Sequence, residues 1–194
     1  MKLLSTFMFI LALKLVNAVD LYDLKAADIF GLDVDFQRFR GQVLLIVNVA
    51  SQCGYTESHY RDLQRIQDIL GNDDFFSVLG FPCNQFGEQE PEDEAAIDEF
   101  VRTKFNVDFP MFSKVEVRGE GAHPVWRFLT DKSNVTPEWN FYKYLVDHKG
   151  QVLHAYPPKV PVSDIFGDVE RAVKNARKEG KKGSTLKKDL KEEL

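Results

Sequence analysis

The sequence predicts a single α/β domain, a central mixed sheet with helices on both faces, and three observations predict it. Residues 44–49 form a nearly continuous apolar, β-branched run, the pattern of a strand covered on both faces, and residues 75–81 form a second such run. Between them Tyr60, Leu63, Ile66 and Leu70 recur at helical spacing before Gly71, which is placed to stop the helix. Two further strand patterns, 142–146 and 152–156, flank Asp147-His148-Lys149-Gly150, a hairpin signal. The first pair with its helix is a β-α-β unit, which makes those strands parallel with a right-handed crossover.

The remaining elements follow the same logic. Residues 21–40, with Gly31 at a turn, read as a small N-terminal hairpin. A helix over 94–105 puts Ile97, Phe100, Val101 and Phe105 on its inner face. The last helix begins after Pro161 with Ser163 as its N-cap and carries Ile165, Val169 and Val173 along one stripe. A chain of 194 residues, 44% hydrophobic and with 16 Phe, suits one packed domain. Two cysteines are too few for a disulfide scaffold, and a net charge of −5 argues against nucleic acid as partner. His59, His123, His148 and His154 show no metal-ligand spacing, so no metal site is expected.

Both ends of the chain read as addresses. Residues 1–18 open with Met1-Lys2, run through an apolar stretch broken by Lys14, and reach Val16-Asn17-Ala18, a signal peptide with cleavage before Val19. The apolar run is about half the ~20 residues that a membrane-spanning helix needs. Lys191-Glu192-Glu193-Leu194 resembles a Lys-Asp-Glu-Leu retention signal, so the two ends together name the endoplasmic reticulum lumen and a retention receptor. The domain is then 19–175, and residues 176–194, basic and almost without apolar side chains, read as a flexible tether. Asn134-Val135-Thr136 is a glycosylation acceptor in that compartment, made poorer by Pro137.

Chemistry centres on the cysteines. Cys53 lies between a strand and a helix starting near Thr56, where unpaired backbone N–H groups and the helix dipole favour a thiolate. Thr56 stands where a vicinal dithiol would place its second cysteine, so dithiol exchange is not expected. Cys83 ends the second strand, at the same edge of the sheet, where ligands of open α/β sheets collect. Gln85 supplies a neutral amide nearby, and Trp139-Asn140, just before the third strand, an indole N–H and another amide.

Asn48-Val49-Ala50-Ser51-Gln52-Cys53-Gly54-Tyr55-Thr56, Gly80-Phe81-Pro82-Cys83-Asn84-Gln85-Phe86-Gly87 with Gln89-Glu90-Pro91, and Trp139-Asn140-Phe141 together resemble the three signature blocks of the glutathione peroxidase family. The resemblance implies a thioredoxin-like fold and a catalytic tetrad of Cys53, Gln85, Trp139 and Asn140, with Cys53 as the peroxidatic residue. It implies reduction of hydrogen peroxide and of organic or lipid hydroperoxides through a Cys53 sulfenic acid, with no bound cofactor and glutathione or a protein dithiol as co-substrate. The short stretch between Leu129 and Trp139 leaves no room for an oligomerisation insertion and implies the monomeric, phospholipid-hydroperoxide type. The helix after the second block has no cysteine, so Cys83 is the candidate resolving residue. The combination with the two terminal signals is similar to the endoplasmic-reticulum members, which implies protein disulfide isomerases as partners. Two rival readings stand beside this one: a peroxide sensor, and a non-enzymatic luminal module with a static Cys53–Cys83 disulfide.

Overall fold

The computed structural model describes residues 19–192, with side chains described as far as Gly180. The predicted signal peptide, 1–18, and the end of the retention motif lie outside the described residues. Among the described residues ten strands and α-helices follow one another: β1 (Lys25–Ala27), β2 (Asp33–Asp35), β3 (Val43–Val49), α1 (Thr56–Leu70), β4 (Phe76–Pro82), α2 (Glu94–Phe105), α3 (Pro124–Ser133), β5 (Lys143–Val146), β6 (Val152–Tyr156) and α4 (Val162–Glu192). Among the described residues no helix is long and apolar enough to cross a membrane.

Strands β4, β3, β5 and β6 lie side by side in that order. β3 and β4 are parallel, with Val49 opposite Pro82, whereas β5 runs antiparallel to β3 and β6 antiparallel to β5. β1 and β2 form a separate hairpin in which the Asp28 carboxylate accepts from the N–H groups of Phe30 and Leu32, both at 2.9 Å. Every residue of β3 and β4 is buried, as their unbroken apolar runs require.

Alternation along β3 divides the core. Val43, Leu45 and Val47 meet Tyr60, Leu63 and Ile66 of α1, Ile97 and Val101 of α2, and Ile165, Val169 and Val173 of α4. Leu44 and Ile46 face the opposite way, among Phe81, Phe112 and the α3 residues Val125, Trp126, Phe128 and Leu129. The sheet is thus covered on both faces. Gly80 lets the chain press in from the side of β4: its N–H donates to Pro110 O and its carbonyl accepts from Phe112 N, each at 2.9 Å, and a Cβ there would collide with Met111 Sδ.

Four details differ from the sequence reading. α3 is absent from it, although His123 caps the helix by accepting from Val125 N at 3.3 Å and Pro124 occupies the first turn. Ser163 is not the N-cap of α4, because Val162 before it is already helical. Gly71 caps the end of α1 without a left-handed turn: its φ is −84°, and the glycine is needed there because a Cβ would strike Gln67. The segment 176–194, read as a flexible tether, is helical through Glu192. Ala176 is buried, Arg177 forks onto Asp73 at 2.8 and 2.9 Å, and Glu179 meets Lys149 at 2.9 Å and His148 at 3.1 Å.

Candidate active site

The loop 50–55 carries the reacting sulfur from the end of β3 to the start of α1. Thr56 ties it down: its hydroxyl donates to Ala50 O at 2.6 Å and accepts from Cys53 N at 3.0 Å, and its own N–H donates to Cys53 O at 3.0 Å. Cys53 ends up 9% exposed, at the rim where the parallel strands finish and three residues before the first helical residue. The loop is joined to the next rim loop by Gln52 N–H, which donates to Gln89 O at 2.9 Å.

Trp139 and Asn140 approach the same place from the β5 side. Asn48, buried on β3, fixes them: its Nδ2 donates to Trp139 O at 3.0 Å, its Oδ1 accepts from Tyr142 N at 2.9 Å, and its carbonyl accepts from Phe141 N at 2.7 Å. Phe141 has φ +64°, the left-handed region that non-glycine residues rarely enter, so the chain turns sharply just after Asn140. Asn140 is fully buried and donates from Nδ2 to Gln89 Oε1 at 2.9 Å and to Phe86 O at 3.4 Å. Trp139 is 40% exposed and lies against Phe86, with ring centroids 6.1 Å apart. Gln89 is therefore the hub, taking Gln52 on its carbonyl and Asn140 on its side chain.

Gln85 faces elsewhere. Its Oε1 accepts from Val117 N at 2.8 Å and Arg118 N at 3.2 Å, and its Nε2 donates to Arg118 O at 3.0 Å. Among the described residues no group donates a hydrogen bond to Cys53 Sγ, and the Trp139 indole N–H meets no acceptor. The structure thus gathers Cys53, Trp139 and Asn140 around one pair of loops and leaves the amide hydrogens of Gln85 and Asn140 on carbonyl and amide oxygens. Those oxygens are better acceptors than a neutral thiol, and only a sulfur carrying charge competes with them.

Cys83 follows β4 with its N–H on Val49 O at 3.0 Å, but its side chain enters the opposite half of the core, beside Phe81, Phe86 and Trp126. Its thiol is fully buried, lies 3.7 Å from Gln85 Oε1, and is pushed up to about 11 by that burial. Both cysteines are free, so the static Cys53–Cys83 disulfide of the rival reading is not present: the two side chains belong to different faces of the sheet. Asn134, the glycosylation acceptor, is exposed at the end of α3 in the left-handed conformation, φ +55°.

Sequence reading missed a buried pair of titratable side chains, Lys143 and His59. Lys143 is fully buried and donates to Phe141 O at 2.9 Å, Pro157 O at 3.1 Å and His59 Nε2 at 3.2 Å. Burial draws the Lys143 ammonium down to about 7, and burial together with that neighbouring cation draws His59 down to about 4. A neutral His59 suits the arrangement, its Nδ1 lying 3.2 Å from Tyr55 O while Nε2 receives the lysine. Nothing in the sequence pattern marks a strand lysine as buried.

A family model described as Glutathione peroxidase matches residues 21–130, ending before Trp139. Glutathione peroxidase 7 of Mus musculus is 52% identical over 146 residues, 75% of this chain and 78% of that protein. The crystal structure of Trgpx in apo form superposes with a TM-score of 0.68 at 31% identity, over 81% of this chain and 97% of that one. A thioredoxin family thiol:disulfide interchange protein from Chlorobium tepidum superposes with a TM-score of 0.59 at 14% identity, over 77% of this chain and 92% of that one, a likeness of fold alone. On a thioredoxin-like scaffold, with its cysteine at the rim of the sheet, the chain belongs to the glutathione peroxidase family of thiol-dependent peroxidases.

Proposed function

We propose that Cys53 is the peroxidatic residue and that it reduces hydrogen peroxide and organic or lipid hydroperoxides. The observation that carries the reading is the position of its sulfur at the start of α1, in a loop tied through Gln89 to Trp139–Asn140. The Cys53 thiolate attacks one peroxide oxygen; an S–O bond forms as the O–O bond breaks. Sulfur is oxidised to a sulfenic acid, the peroxide gains two electrons, and the departing oxygen takes up a proton to leave as water or an alcohol. As charge develops, the amides of Gln85 and Asn140 turn from their resting acceptors toward the sulfur and the departing oxygen, and the Trp139 indole joins them. A well-aimed donor at such a place contributes about 3 kcal/mol to the transition state.

Re-reduction follows from an external thiol, glutathione or a disulfide isomerase dithiol. The thiol forms a disulfide with Cys53 and releases the sulfenic oxygen as water; a second thiol frees Cys53 and takes the oxidised disulfide away. No bound cofactor takes part. Burial and the raised thiol of Cys83 favour this external route; resolution by Cys83 requires the loop after β4 to move until the two Cα atoms lie within about 7 Å. The chain works as a monomer in the endoplasmic reticulum lumen, where residues 191–194 engage a retention receptor and Asn134 is open to glycosylation. Stopped-flow peroxide reduction, chased in turn with glutathione and with a reduced disulfide isomerase, tests the reading. Cys53→Ser is expected to abolish peroxide consumption altogether, and a variant that still turns over would overthrow the assignment. For the compartment, deletion of residues 191–194 is expected to send the protein into the medium.

A further inference from the structure

Lys143 stands at the start of the interior strand β5, opposite Val47 of β3 and Tyr156 of β6, and is fully buried. An apolar side chain would fill such a place without the cost of burying a charge. The lysine is instead matched contact for contact. Its amine reaches Phe141 O, Pro157 O and His59 Nε2 at 2.9, 3.1 and 3.2 Å, three acceptors for the three N–H groups of an ammonium. With Nε2 receiving, the His59 proton sits on Nδ1, which lies 3.2 Å from Tyr55 O. A neutral amine, with two N–H groups and a lone pair, would leave one of these contacts unserved. Both ends of this chain of bonds belong to the site. Tyr55 closes the loop 50–55 that carries Cys53, and Phe141 directly follows Trp139-Asn140. The φ of +64° at Phe141 is pinned on both polar atoms, its N–H on Asn48 O at 2.7 Å and its carbonyl on Lys143. A non-glycine residue stays in that region only where its surroundings fix it there.

We infer that Lys143 is a positioning residue for Trp139 and Asn140, its ammonium clamping the Phe141 carbonyl at the turn just after them and bracing that turn, through His59, against the loop of Cys53. The ring packing follows the same line, with His59 against both Tyr55 and Phe141 at centroid distances of 5.4 and 5.0 Å. Asn48 holds the other side of the turn, at Trp139 O and Phe141 N, so loss of the lysine frees one half of the grip and leaves the other. The Phe141 peptide can then rotate out of the left-handed region, and the two side chains before it lose their aim. Lys143 touches no reacting atom, and its influence falls on the step that needs aimed donors, the cleavage of the O–O bond. The inference deepens the peroxidase reading and rests on it for the chemistry at Cys53.

The test compares the full-length protein with Lys143→Met, His59→Leu and the double variant at about pH 6, where the amine is charged, since burial draws it down only to about 7. Single-turnover peroxide reduction is followed by stopped flow, and iodoacetamide alkylation of Cys53 by peptide mass spectrometry. Both reactions consume the thiolate, but only the first needs donors at a departing oxygen, so the ratio of their rates reports aim. That ratio is expected to fall about tenfold or more in Lys143→Met, as displacement of a group at a reacting centre entails. It falls by less in His59→Leu, where two of the three lysine contacts survive. The two residues act as one brace, so the double variant is expected to be no worse than Lys143→Met. A purely structural role would lower the urea midpoint and leave the ratio of the folded protein unchanged; that result, or losses that multiply in the double variant, overturns the inference. His59→Leu carries the test alone if Lys143→Met fails to fold, and an unchanged ratio there overturns the inference equally. In a Trp126→Phe background Trp139 is the sole tryptophan, and its emission is expected to shift to longer wavelength in the same variants; an unmoved emission overturns the inference. Emission needs no peroxide, so a shift in a protein whose parent consumes none counts against the peroxidase reading and not against Lys143.

Discussion

On one face of the sheet Cys53 shares a core with Tyr60 and Phe141, and His59, packed on Phe141, meets the buried Lys143, so that the protonation of Tyr60, His59 and Lys143 is set by what surrounds them. On the other face Cys83 is packed among Phe81, Phe86, Phe112 and Trp126, with the Phe81 and Phe112 rings stacked at 4.3 Å. Both cysteines come from the same edge of adjacent parallel strands, so distance along the sheet does not separate them. The separation comes from which way the chain turns after β3 and β4. One sulfur is delivered to a helix start and the other to an aromatic interior, and reactivity follows the delivery.

The largest effect that sharpens this contrast is chemical. With its thiol near 11, Cys83 has about one molecule in a thousand ionised at pH 8, so native-state alkylation is expected to label Cys53 at least about a hundredfold faster, with Cys83 labelled only in denaturant. Equal labelling of the two sites in the native protein would erase the distinction between the faces. Next in size, Trp126→Ala is expected to cost about 3–5 kcal/mol of stability in urea unfolding, since it empties the centre of the aromatic face. Its single-turnover peroxide burst should survive wherever the protein stays folded. The third effect concerns Lys143 and shows as a slope with pH. Its ammonium is drawn down to about 7 in the folded chain and keeps 10.5 when unfolded, so the unfolded state binds more protons between those values and stability rises with pH across that window. Lys143→Met should flatten that rise in urea midpoints measured at successive pH values. A rise of undiminished slope would place its origin elsewhere.

Much of the scaffold can be read from the chain because β3, α1 and β4 combine apolar runs with a clear 3.6-residue stripe. α3 escaped because its inner face is only Val125, Trp126, Phe128 and Leu129, too short to establish a period against the irregular chain around it. The end of α4 escaped for another reason: the residues that hold Arg177 and Glu179 are Asp73, His148 and Lys149, far away in sequence. Within the site, the residue types and the location of Cys53 were legible, whereas the bonds were not. Gln85 reads as a donor near sulfur, yet its amide is held by the backbone of 117–118, a segment with no local signal that it would come there. Asn48 and Lys143 look like ordinary strand residues until the neighbouring chain supplies the carbonyls that satisfy them.

The bare backbone at Gly80 reaches beyond the fold it helps to shape. An uncovered strand border is a template on which other chains add, and here the border at β4 is occupied by the molecule's own residues 110–112, bonded to both sides of that glycine. One extra methyl at position 80 would push Met111 outward and lift the cover from the strand. In a crowded solution such a change would favour chains that stick to one another.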